Sequence, residues 1–365
     1  MKVLLTGGGT AGHINPALAI ADHIKAKEPD AEFLFIGTRH GLESTLVPKA
    51  GYDIKYVNVE GLSKKINLKN IKSFCHLLTA KTKCKKIIKD FKPDIVIGTG
   101  GYVCAPAVMA ANSVHIPTII HEQNVFPGKA IKLLSKKSTV TAISFEDSRK
   151  YLSDAQCILF TGNPIRPEII STTSGEARKA MGLGTEKLIL IFGGSLGADT
   201  INRVALQYIQ TLSSDDNKKV IFATGEKNYK AVFEKAQEMG ISGTPHAQIV
   251  PYIHNMNEVM NAADIAVCRS GAITVSELSA LAKPAIFVPS PNVTNNHQEY
   301  NARAISDRGG AITILERDFN LKTLSGALNS VLNDDEAMQK MKHQSSLLGC
   351  VDALDIIYKK IKELT

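Results

Sequence analysis

The sequence contains no tryptophan, no CxxC pair and no apolar run long enough to cross a bilayer. The six cysteines, at positions 75, 84, 104, 157, 268 and 350, lie far apart, so neither a zinc site nor a disulfide framework is expected. The apolar residues at the start are also too few for a signal peptide. No D-x-D motif occurs, and we therefore assign no metal-bound diphosphate, no metal and no cofactor. These absences together predict a cytosolic protein with reduced cysteines.

The length and composition predict a folded globular protein. The 365 residues suggest two domains, since a domain commonly has about 100 to 200 residues. Hydrophobic residues make up 44% of the chain and charged residues 21%, which excludes a disordered or fibrous protein.

Positive charge is concentrated in residues 63–92, which we call the lysine-rich segment. It holds ten lysines and one acid, Asp90, whereas the rest of the chain is close to neutral. A nucleic-acid site would add arginines and stacking aromatics, but only Phe74 and Phe91 occur here. We expect an anionic phospholipid surface as partner and no nucleic acid; a solvated helical face is the alternative.

Short apolar runs alternate with helical periodicity, which predicts parallel α/β sheets. The pattern restarts after Gly162-Asn163-Pro164-Ile165-Arg166-Pro167, where two prolines interrupt both kinds of element. We therefore predict two doubly wound α/β domains in tandem, and a helix over 352–364. The predicted strands are 2–6, 33–36, 54–57, 95–98, 118–121, 140–143 and 158–161, then 188–192, 220–223, 248–250, 265–268, 285–288 and 311–314.

Each predicted domain opens with a glycine-rich turn between a strand and a helix. The turns are Gly7-Gly8-Gly9-Thr10-Ala11-Gly12-His13, with a helix from about Pro16, and Gly193-Gly194-Ser195-Leu196-Gly197-Ala198, with a helix from about Asp199. A third turn runs from Gly98 to Tyr102. Backbone N–H groups at such turns, together with the helix dipole, favour phosphate binding.

The first turn also matches the dinucleotide pattern G-x-G-x-x-G, which raises an NAD-dependent oxidoreductase as an alternative. That fold requires an acid at the end of the second strand. Here the strand ends in Gly37-Thr38-Arg39, and Asp30 and Glu32 precede it. The oxidoreductase is therefore disfavoured, as is a turn used only for helix packing.

Two further residues have both a chemical and a structural interpretation. His13 enters the first helix, where the dipole lowers a histidine pKa and suits a general base, although many such histidines are only satisfied surface or core residues. Glu277 could accept hydrogen bonds from a ribose diol, or it could simply complement a helix dipole. The polar loop 289–300 is rich in amides of the kind that bind sugar hydroxyls, and solvated loops have the same composition.

Six spaced motifs together resemble the MurG family, the N-acetylglucosaminyltransferases that convert lipid I into lipid II in bacterial cell-wall synthesis. They are the two glycine-rich turns, His121-Glu122-Gln123-Asn124 with Pro127-Gly128, Gly162-Asn163-Pro164-Ile165-Arg166, residues 270–277 and His297-Gln298. The resemblance extends over nearly the whole chain. One departure is Ala11, where the family usually has glycine.

This resemblance implies the GT-B fold, two Rossmann-like domains facing a central cleft. Residues 1–163 with a C-terminal helix in 346–365 would bind the acceptor and the membrane, and residues 164–345 would bind UDP-N-acetylglucosamine. The implied location is the cytoplasmic face of the bacterial membrane, where the enzyme would act in peptidoglycan synthesis, cell shape and cell division, with other cell-wall synthesis proteins as possible partners.

The resemblance also implies roles for individual residues. Ser195 and Arg166 would hold the donor phosphates, and Ile253 would contact uracil. Residues at the nucleotide and ribose site would be Ala272, Ile273, Thr274, Val275, Ser276 and Glu277. Asn124 and Gln298 would bind the sugar, and Thr10, Ala11 and Gly12 would reach the same cleft. Gly9, Gly12, Gly100 and Gly101 would take the acceptor diphosphate.

An α-linked donor and a β(1→4)-linked product imply inversion by in-line attack, which needs a base and stabilisation of the departing UDP. His13 is the first candidate base and Glu122 the second. Other hypotheses are a different UDP-sugar transferase, a UDP-N-acetylglucosamine 2-epimerase, and a nucleotide-binding or membrane scaffold without turnover.

Overall fold

The computed structural model describes residues 1–59, 68–194, 197–213 and 215–365, with only the helical backbone given for 68–75. The chain divides into two compact units, Met1–Ile165 with Asp352–Thr365, and Arg166–Val351. Compared with the expected domain limits, Pro164 and Ile165 lie in the first unit and residues 346–351 in the second. Residues 346–351 belong to the second unit because of their packing, since the Gly349 backbone lies against the Ser279 backbone there.

A seven-stranded parallel sheet forms the centre of the first unit, in the order β3-β2-β1-β4-β5-β6-β7. Its strands are β1 (Lys2–Gly7), β2 (Glu32–Gly37), β3 (Ile54–Tyr56), β4 (Ile95–Gly100), β5 (Thr118–Glu122), β6 (Val140–Ile143) and β7 (Ile158–Phe160). Helices cover both faces, so the strands are apolar on both sides. In β1, Val3 and Leu5 pack in one core cluster and Leu4 in another.

The helices of this unit are α1 (Ala11–Lys27), α2 (Glu43–Lys49), α3 (Leu68–Phe91), α4 (Cys104–Asn112), α5 (Lys129–Ser135) and, from the C-terminus, α15 (Ala353–Leu364). The first begins at Ala11, not near Pro16 as expected, and Pro16 lies inside it. Pro16 cannot donate an N–H to the Gly12 carbonyl and its ring crowds that carbonyl, yet the turn before it is helical. Ala11 is therefore a helical residue, a conformation that alanine adopts readily.

The C-terminal helix α15 packs on α1 within the first unit. Ile357 and Ile361 are buried in the core that α1 covers. Glu28 accepts hydrogen bonds from Tyr358 Oη at 2.9 Å and from Lys362 Nζ at 2.8 Å. The last helix of the chain is thus part of the first unit.

A six-stranded parallel sheet forms the second unit, in the order β10-β9-β8-β11-β12-β13. Its strands are β8 (Lys187–Phe192), β9 (Lys218–Ala223), β10 (Ala247–Val250), β11 (Ile265–Cys268), β12 (Ala285–Phe287) and β13 (Ile312–Thr313). Its helices are α6 (Pro167–Ile170), α7 (Ser174–Ala180), α8 (Asp199–Gln210), α9 (Tyr229–Glu238), α10 (Met256–Ala262), α11 (Ala272–Ala280), α12 (His297–Ser306), α13 (Leu321–Leu332) and α14 (Asp335–Ser346). The predicted α/β class is confirmed, and every predicted strand is present with ends shifted by two residues at most.

The strand order places a topological switch point between β1 and β4 in the first sheet and between β8 and β11 in the second. Doubly wound sheets bind ligands beyond the carboxyl ends of the strands at such points. The glycine-rich turns follow β1, β4 and β8. Each unit therefore has its turns where a ligand site is expected.

The described part of the lysine-rich segment is residues 68–92, that is α3 and Lys92, with side chains described from residue 76 onward. Ala80, Cys84 and Ile88 recur every four residues, are buried and face the core next to α4. Lys83, Lys85, Lys86 and Lys89 are exposed. Lys64 and Lys65 lie outside the described residues. Among the residues that the structure does describe, no helix combines the length and hydrophobicity needed to span a membrane.

Candidate functional site

The first glycine-rich turn joins β1 to α1 in a conformation that requires glycine. Gly9 has φ +84°, and a side chain on Gly7 would lie 2.0 Å from Thr99 Oγ1. Thr10 is the N-cap of α1, so Ala11 and Gly12 form its first turn. Because the N–H groups of a first turn point out of the helix end, this geometry suits the phosphate binding predicted for the turn, which stays a prediction.

His13 is half-buried in the first turn of α1, and its imidazole folds back over the glycine turn. Its Nδ1 lies 3.1 Å from the Gly8 carbonyl oxygen and 3.2 Å from Thr10 Oγ1. A carbonyl oxygen can only accept, so Nδ1 carries the proton in this contact. In the neutral ring, Nε2 is then the basic nitrogen, as a general base requires.

Glu43 contacts the same turn, and the sequence analysis did not identify it. Its carboxylate is 1% exposed and accepts hydrogen bonds from Gly9 N at 2.9 Å and from the N and Oγ1 of Thr38 at 2.9 and 2.7 Å. Side chains on Gly8, Gly37 or Gly41 would overlap it. One of the donors predicted for the acceptor diphosphate, the Gly9 N–H, is thus already bonded to a carboxylate.

The third turn, after β4, packs against the first. Gly100 and Gly101 have φ +111° and +80°. A side chain at Gly100 would overlap the His13 ring, and one at Gly101 would lie 2.2 Å from the Gly8 carbonyl oxygen. Gly8 N also donates to Gly100 O at 3.3 Å. Both turns therefore meet around His13 at the switch point of the first sheet.

The motif His121-Glu122-Gln123-Asn124 at the end of β5 mainly supports the loops. His121 is fully buried, with Nε2 3.0 Å from the Gly162 carbonyl oxygen, and Gln123 Nε2 donates to its Nδ1 at 3.0 Å. Burial lowers the pKa of His121 to about 4, so the ring is neutral. Asn163 Nδ2 donates to Gln123 O at 3.1 Å, which joins this motif to the Gly162-Asn163 motif.

Glu122 is 3% exposed, and burial raises its pKa despite several hydrogen bonds. Oε1 accepts from Asn124 N at 2.9 Å and Nδ2 at 3.1 Å, and Oε2 accepts from Gly128 N at 2.8 Å. Both carboxylate oxygens are thus engaged within their own loop. This geometry favours a loop-supporting role for Glu122 over the role of base, and it holds the half-buried Asn124 in place.

The glycine-rich turn of the second unit joins β8 to α8. Gly194 and Gly197 have φ +89° and +74°, and Gly197 N donates to Gly194 O at 2.9 Å. A side chain at Gly197 would lie 2.2 Å from the Thr224 carbonyl oxygen. Ser195, the predicted phosphate ligand, lies outside the described residues. The described part of the turn leads directly into the N-terminus of α8.

A cleft of about 700 Å³ opens in the second unit beside this turn. It lies between the N-termini of α8 and α11, next to Gln298 in the first turn of α12. Its lining includes Phe192, Gly193, Gly194, Gly197, Ala198, Asp199, Thr200, Asn228, Arg269, Gly271, Thr274, Ser290, Asn292, Gln298 and Glu316. The size suits a nucleotide sugar, and two helix N-termini favour its phosphates.

Glu277 lies on α11, 5% exposed, with its Oε1 3.3 Å from Arg166 Nη2. Burial raises the pKa of Glu277, and the Arg166 charge opposes that rise. The two residues are far apart in sequence but paired in space, which the motif analysis did not predict. A buried carboxylate that keeps a charged partner is able to accept two hydrogen bonds from a diol.

Arg269 is a cleft residue that the sequence analysis did not single out. It is ion-paired with Glu316, and Nη1 donates to the Val288 carbonyl oxygen at 3.0 Å. Glu316 in turn accepts from Thr200 Oγ1 at 3.0 Å. Arg269 could have been identified from its position in the sequence, because it is the first residue after β11 at the switch point.

The other predicted donor-site residues differ in how they face the cleft. Thr274 and Gln298 line it, and Gln298 Oε1 accepts from Ser290 N at 2.8 Å. Val275 is fully buried in the core, so only its backbone is available for contact. Ile253 is 5% exposed and is not part of the lining, so the uracil contact predicted for its backbone stays a prediction.

Comparison with known proteins gives matches over both units. Residues 3–143 match the glycosyltransferase family 28 N-terminal domain and residues 188–357 its C-terminal domain. A protein of Acetivibrio thermocellus is 45% identical over 365 residues, all of this chain and 98% of its own length. One from Thermoanaerobacter sp. (strain X514) is 42% identical over 366 residues, with both chains covered completely. Both are named UDP-N-acetylglucosamine--N-acetylmuramyl-(pentapeptide) pyrophosphoryl-undecaprenol N-acetylglucosamine transferase.

Solved structures support the fold. The crystal structure of Acinetobacter baumannii MurG superposes with a TM-score of 0.81 at 24% identity, over 99% of each chain. The UDP-GlcNAc 2-epimerase from Neisseria meningitidis bound to UDP-GlcNAc gives 0.69 at 15% identity, over the full length of both chains. Two doubly wound units with glycine-rich turns at their switch points fit the GT-B fold, and the matches to both glycosyltransferase family 28 domains make this chain a GT-B glycosyltransferase. Within that class, the chain belongs to the MurG family of UDP-N-acetylglucosamine transferases.

Proposed function

We propose that this chain transfers N-acetylglucosamine from UDP-N-acetylglucosamine to O4 of the muramoyl sugar of lipid I, forming lipid II for peptidoglycan. The observation that carries the proposal is the 45% identity along the full length to a relative named as this transferase. The 700 Å³ cleft beside the second glycine-rich turn supports it, because its size and helix N-termini suit a nucleotide sugar.

The second unit binds the donor. Helix N-termini at α8 and α11, with Ser195 and Arg166, hold the diphosphate, and Glu277 accepts hydrogen bonds from the ribose hydroxyls. The resemblance implies further donor contacts from the second unit at Ile253, Ala272, Ile273, Thr274, Val275, Ser276 and Gln298, and from the first unit at Thr10, Ala11, Gly12 and Asn124. A role for Glu277 fits its buried, Arg166-paired carboxylate.

The first unit binds the acceptor and supplies the base. First-turn N–H groups of α1 near Gly12, with Gly100 and Gly101, take the acceptor diphosphate, whereas the Gly9 N–H is engaged by Glu43. His13 Nε2 takes the proton of the O4 hydroxyl as O4 bonds to C1 of N-acetylglucosamine. Since Nδ1 is the protonated nitrogen, the neutral ring has the tautomer that this step needs.

The bond between C1 and the β-phosphate oxygen breaks as the O4 bond forms, on the opposite face of C1, so the configuration inverts. The departing oxygen takes the electron pair and becomes the new negative charge of UDP. Helix N-termini in the second unit stabilise this charge by their dipoles and N–H groups.

The chain acts at the cytoplasmic face of the membrane, where its acceptor is a lipid. Exposed lysines of α3 provide attraction to anionic phospholipid, in keeping with the charge concentrated in the lysine-rich segment. Other cell-wall synthesis proteins are further partners in cell growth and division.

One assay tests the reaction and separates it from the alternatives. Purified protein is incubated with radiolabelled UDP-N-acetylglucosamine and a short-chain lipid I analogue, and the products are analysed. We expect labelled disaccharide lipid and UDP. Epimerised sugar nucleotide without acceptor would indicate the epimerase, and binding without turnover would indicate a scaffold. Transfer to a different acceptor would leave the GT-B class intact and replace the substrate assignment.

A further inference from the structure

The Glu43 carboxylate and the His13 imidazole contact opposite ends of one peptide group. Glu43 Oε2 accepts from the N–H of Gly9 at 2.9 Å, and the carbonyl of Gly8 lies 3.1 Å from His13 Nδ1. This N–H and this carbonyl belong to the same Gly8–Gly9 peptide. The carboxylate, the peptide and the imidazole therefore form one continuous hydrogen-bonded chain.

We propose that Glu43 is a positioning residue that orients His13 for proton abstraction through the Gly8–Gly9 peptide. The inference rests on the proposed function, because the role given to Glu43 is to prepare His13 for transfer. Glu43 fixes the direction of the peptide, the peptide carbonyl fixes the proton on Nδ1, and Nε2 is thereby kept basic. A carboxylate that is hydrogen-bonded directly to Nδ1–H of a histidine fixes the tautomer and the orientation of the ring in the same way.

A peptide between two glycines needs such an anchor. Glycine has the widest choice of backbone conformations, so the Gly8–Gly9 peptide can rotate at low cost unless something holds it. Gly8 N is bonded to Gly100 O at 3.3 Å on one side. Glu43 holds the other side, and rotation away from it would break the Gly9 bond and turn the carbonyl from His13.

The cage around Glu43 is shaped for an ionised carboxylate. Burial acts to raise its pKa, but the donors at Gly9 and Thr38 outweigh it and hold the pKa below the usual value. Side chains at Gly8, Gly37 or Gly41 would occupy the space of the carboxylate. The three donors and the glycines around it hold the ionised carboxylate in one position, as a positioning role requires.

Several elements pack on α1, the helix that carries His13. Those elements are β1, β4, α2 and α15. Glu43 is the contribution of α2, and β4 presents Thr99 and Gly100, which do not titrate. Ion pairs of α15 contact α1 at its last turns, at His23, Lys27 and Glu28.

The test compares Glu43→Gln with a matched control, Glu32→Gln, an exposed glutamate of the same unit. The Gln side chain has one oxygen and one NH2 group, so it cannot accept hydrogen bonds from both Gly9 and Thr38. At one of these two contacts its NH2 group would face another hydrogen-bond donor. We expect Glu43→Gln to lower kcat about 10- to 100-fold with UDP affinity unchanged. The acidic limb of the kcat profile should move to lower pH, because the imidazolium loses the stabilising charge of the carboxylate. Glu32→Gln should match the wild type.

Combination with His13→Ala separates positioning from structural damage. If Glu43 acts through His13, Glu43→Gln should cause little further loss in the His13→Ala background. An equal loss in both backgrounds would overturn the inference. If the wild type transfers the sugar and the Glu43→Gln variant is fully active, the inference is overturned and the proposed function stands. If the wild type shows no transfer, the proposed function itself is refuted.

A second measurement does not depend on whether the variant folds. Nitrogen-15 NMR of the wild-type histidines, with His13 assigned by its absence in His13→Ala, reports which ring nitrogen carries the proton. We expect the Nδ1–H tautomer above the His13 titration. The Nε2–H tautomer would break the proposed chain and overturn the inference.

Discussion

The Arg166 guanidinium lies 3.3 Å from the carboxylate of Glu277, which is 5% exposed, while the Arg166 side chain is largely exposed. An acid this buried is costly to ionise without a partner, and burial raises its pKa although Arg166 opposes the rise. The Arg166 charge therefore favours the ionised form of Glu277 against the effect of burial. Arg166 is also the residue at which the second unit begins.

Glu277→Ala should weaken UDP binding about 10- to 100-fold, because it removes charge-assisted hydrogen bonds to the ribose worth ~1.5 to 3 kcal/mol. Isothermal titration calorimetry with UDP measures this directly. The control is Glu234→Ala, an exposed glutamate on α9, which should bind UDP as the wild type does. Unchanged affinity in Glu277→Ala, with an intact circular dichroism spectrum, would remove Glu277 from the donor site.

His13→Ala should lower kcat by ~10² or more while UDP affinity stays nearly constant, since a general base contributes only in the transition state. The comparison variant is Glu122→Gln, the other candidate base. Because both Glu122 oxygens accept hydrogen bonds within their own loop, we expect that variant to lose thermal stability as well as activity. Near-normal turnover in His13→Ala would exclude it as the base.

The sequence predicted the fold well because both sheets are buried on two faces, so their strands are continuous apolar runs with glycine turns after them. Contacts between distant residues were harder to predict. Glu43 is an ordinary first-turn acid in the sequence, and only the return of α2 to the β1 turn brings it to Gly9. Likewise, the burial of Glu122 results from tertiary packing, which the local sequence pattern does not predict.

Stability should fall in acid because His121 is buried in its neutral form. Its folded pKa is about 4, against an ordinary value of 6.5, so the unfolded chain takes up the proton first. The contribution of His121 is therefore complete above pH 6.5 and is lost as pH falls from 6.5 to about 4, by about 3 kcal/mol. Urea unfolding across this range measures it.

Two histidine variants isolate this contribution. His121→Asn keeps a donor and an acceptor but does not titrate, so its unfolding free energy should depend less on pH between 6.5 and 4. His40→Asn, at an exposed histidine of the same unit, should keep the wild-type pH dependence. The same slope in all three proteins would show that His121 is not the group responsible.

The exposed face of α3 should bind anionic membranes. Leu78 is 48% exposed and lies seven and eleven residues before Lys85 and Lys89, so all three share one helix face. Each lysine near an anionic surface contributes ~1 kcal/mol, and exposed charges are screened over ~10 Å at 0.1 M salt. We expect binding to vesicles with acidic phospholipid that falls steeply as salt rises.

Replacing Lys85, Lys86 and Lys89 by glutamate should abolish this binding, because attraction becomes repulsion on the face that carries Leu78. Turnover on a short-chain soluble acceptor should survive, since these residues belong to no glycine-rich turn. The matched control replaces three exposed lysines of the second unit, Lys230, Lys322 and Lys340, by glutamate and changes the net charge equally. Vesicle flotation at low and high salt compares the three proteins. If both triple variants lose binding to the same extent, attraction depends on total charge and α3 is only a solvated face.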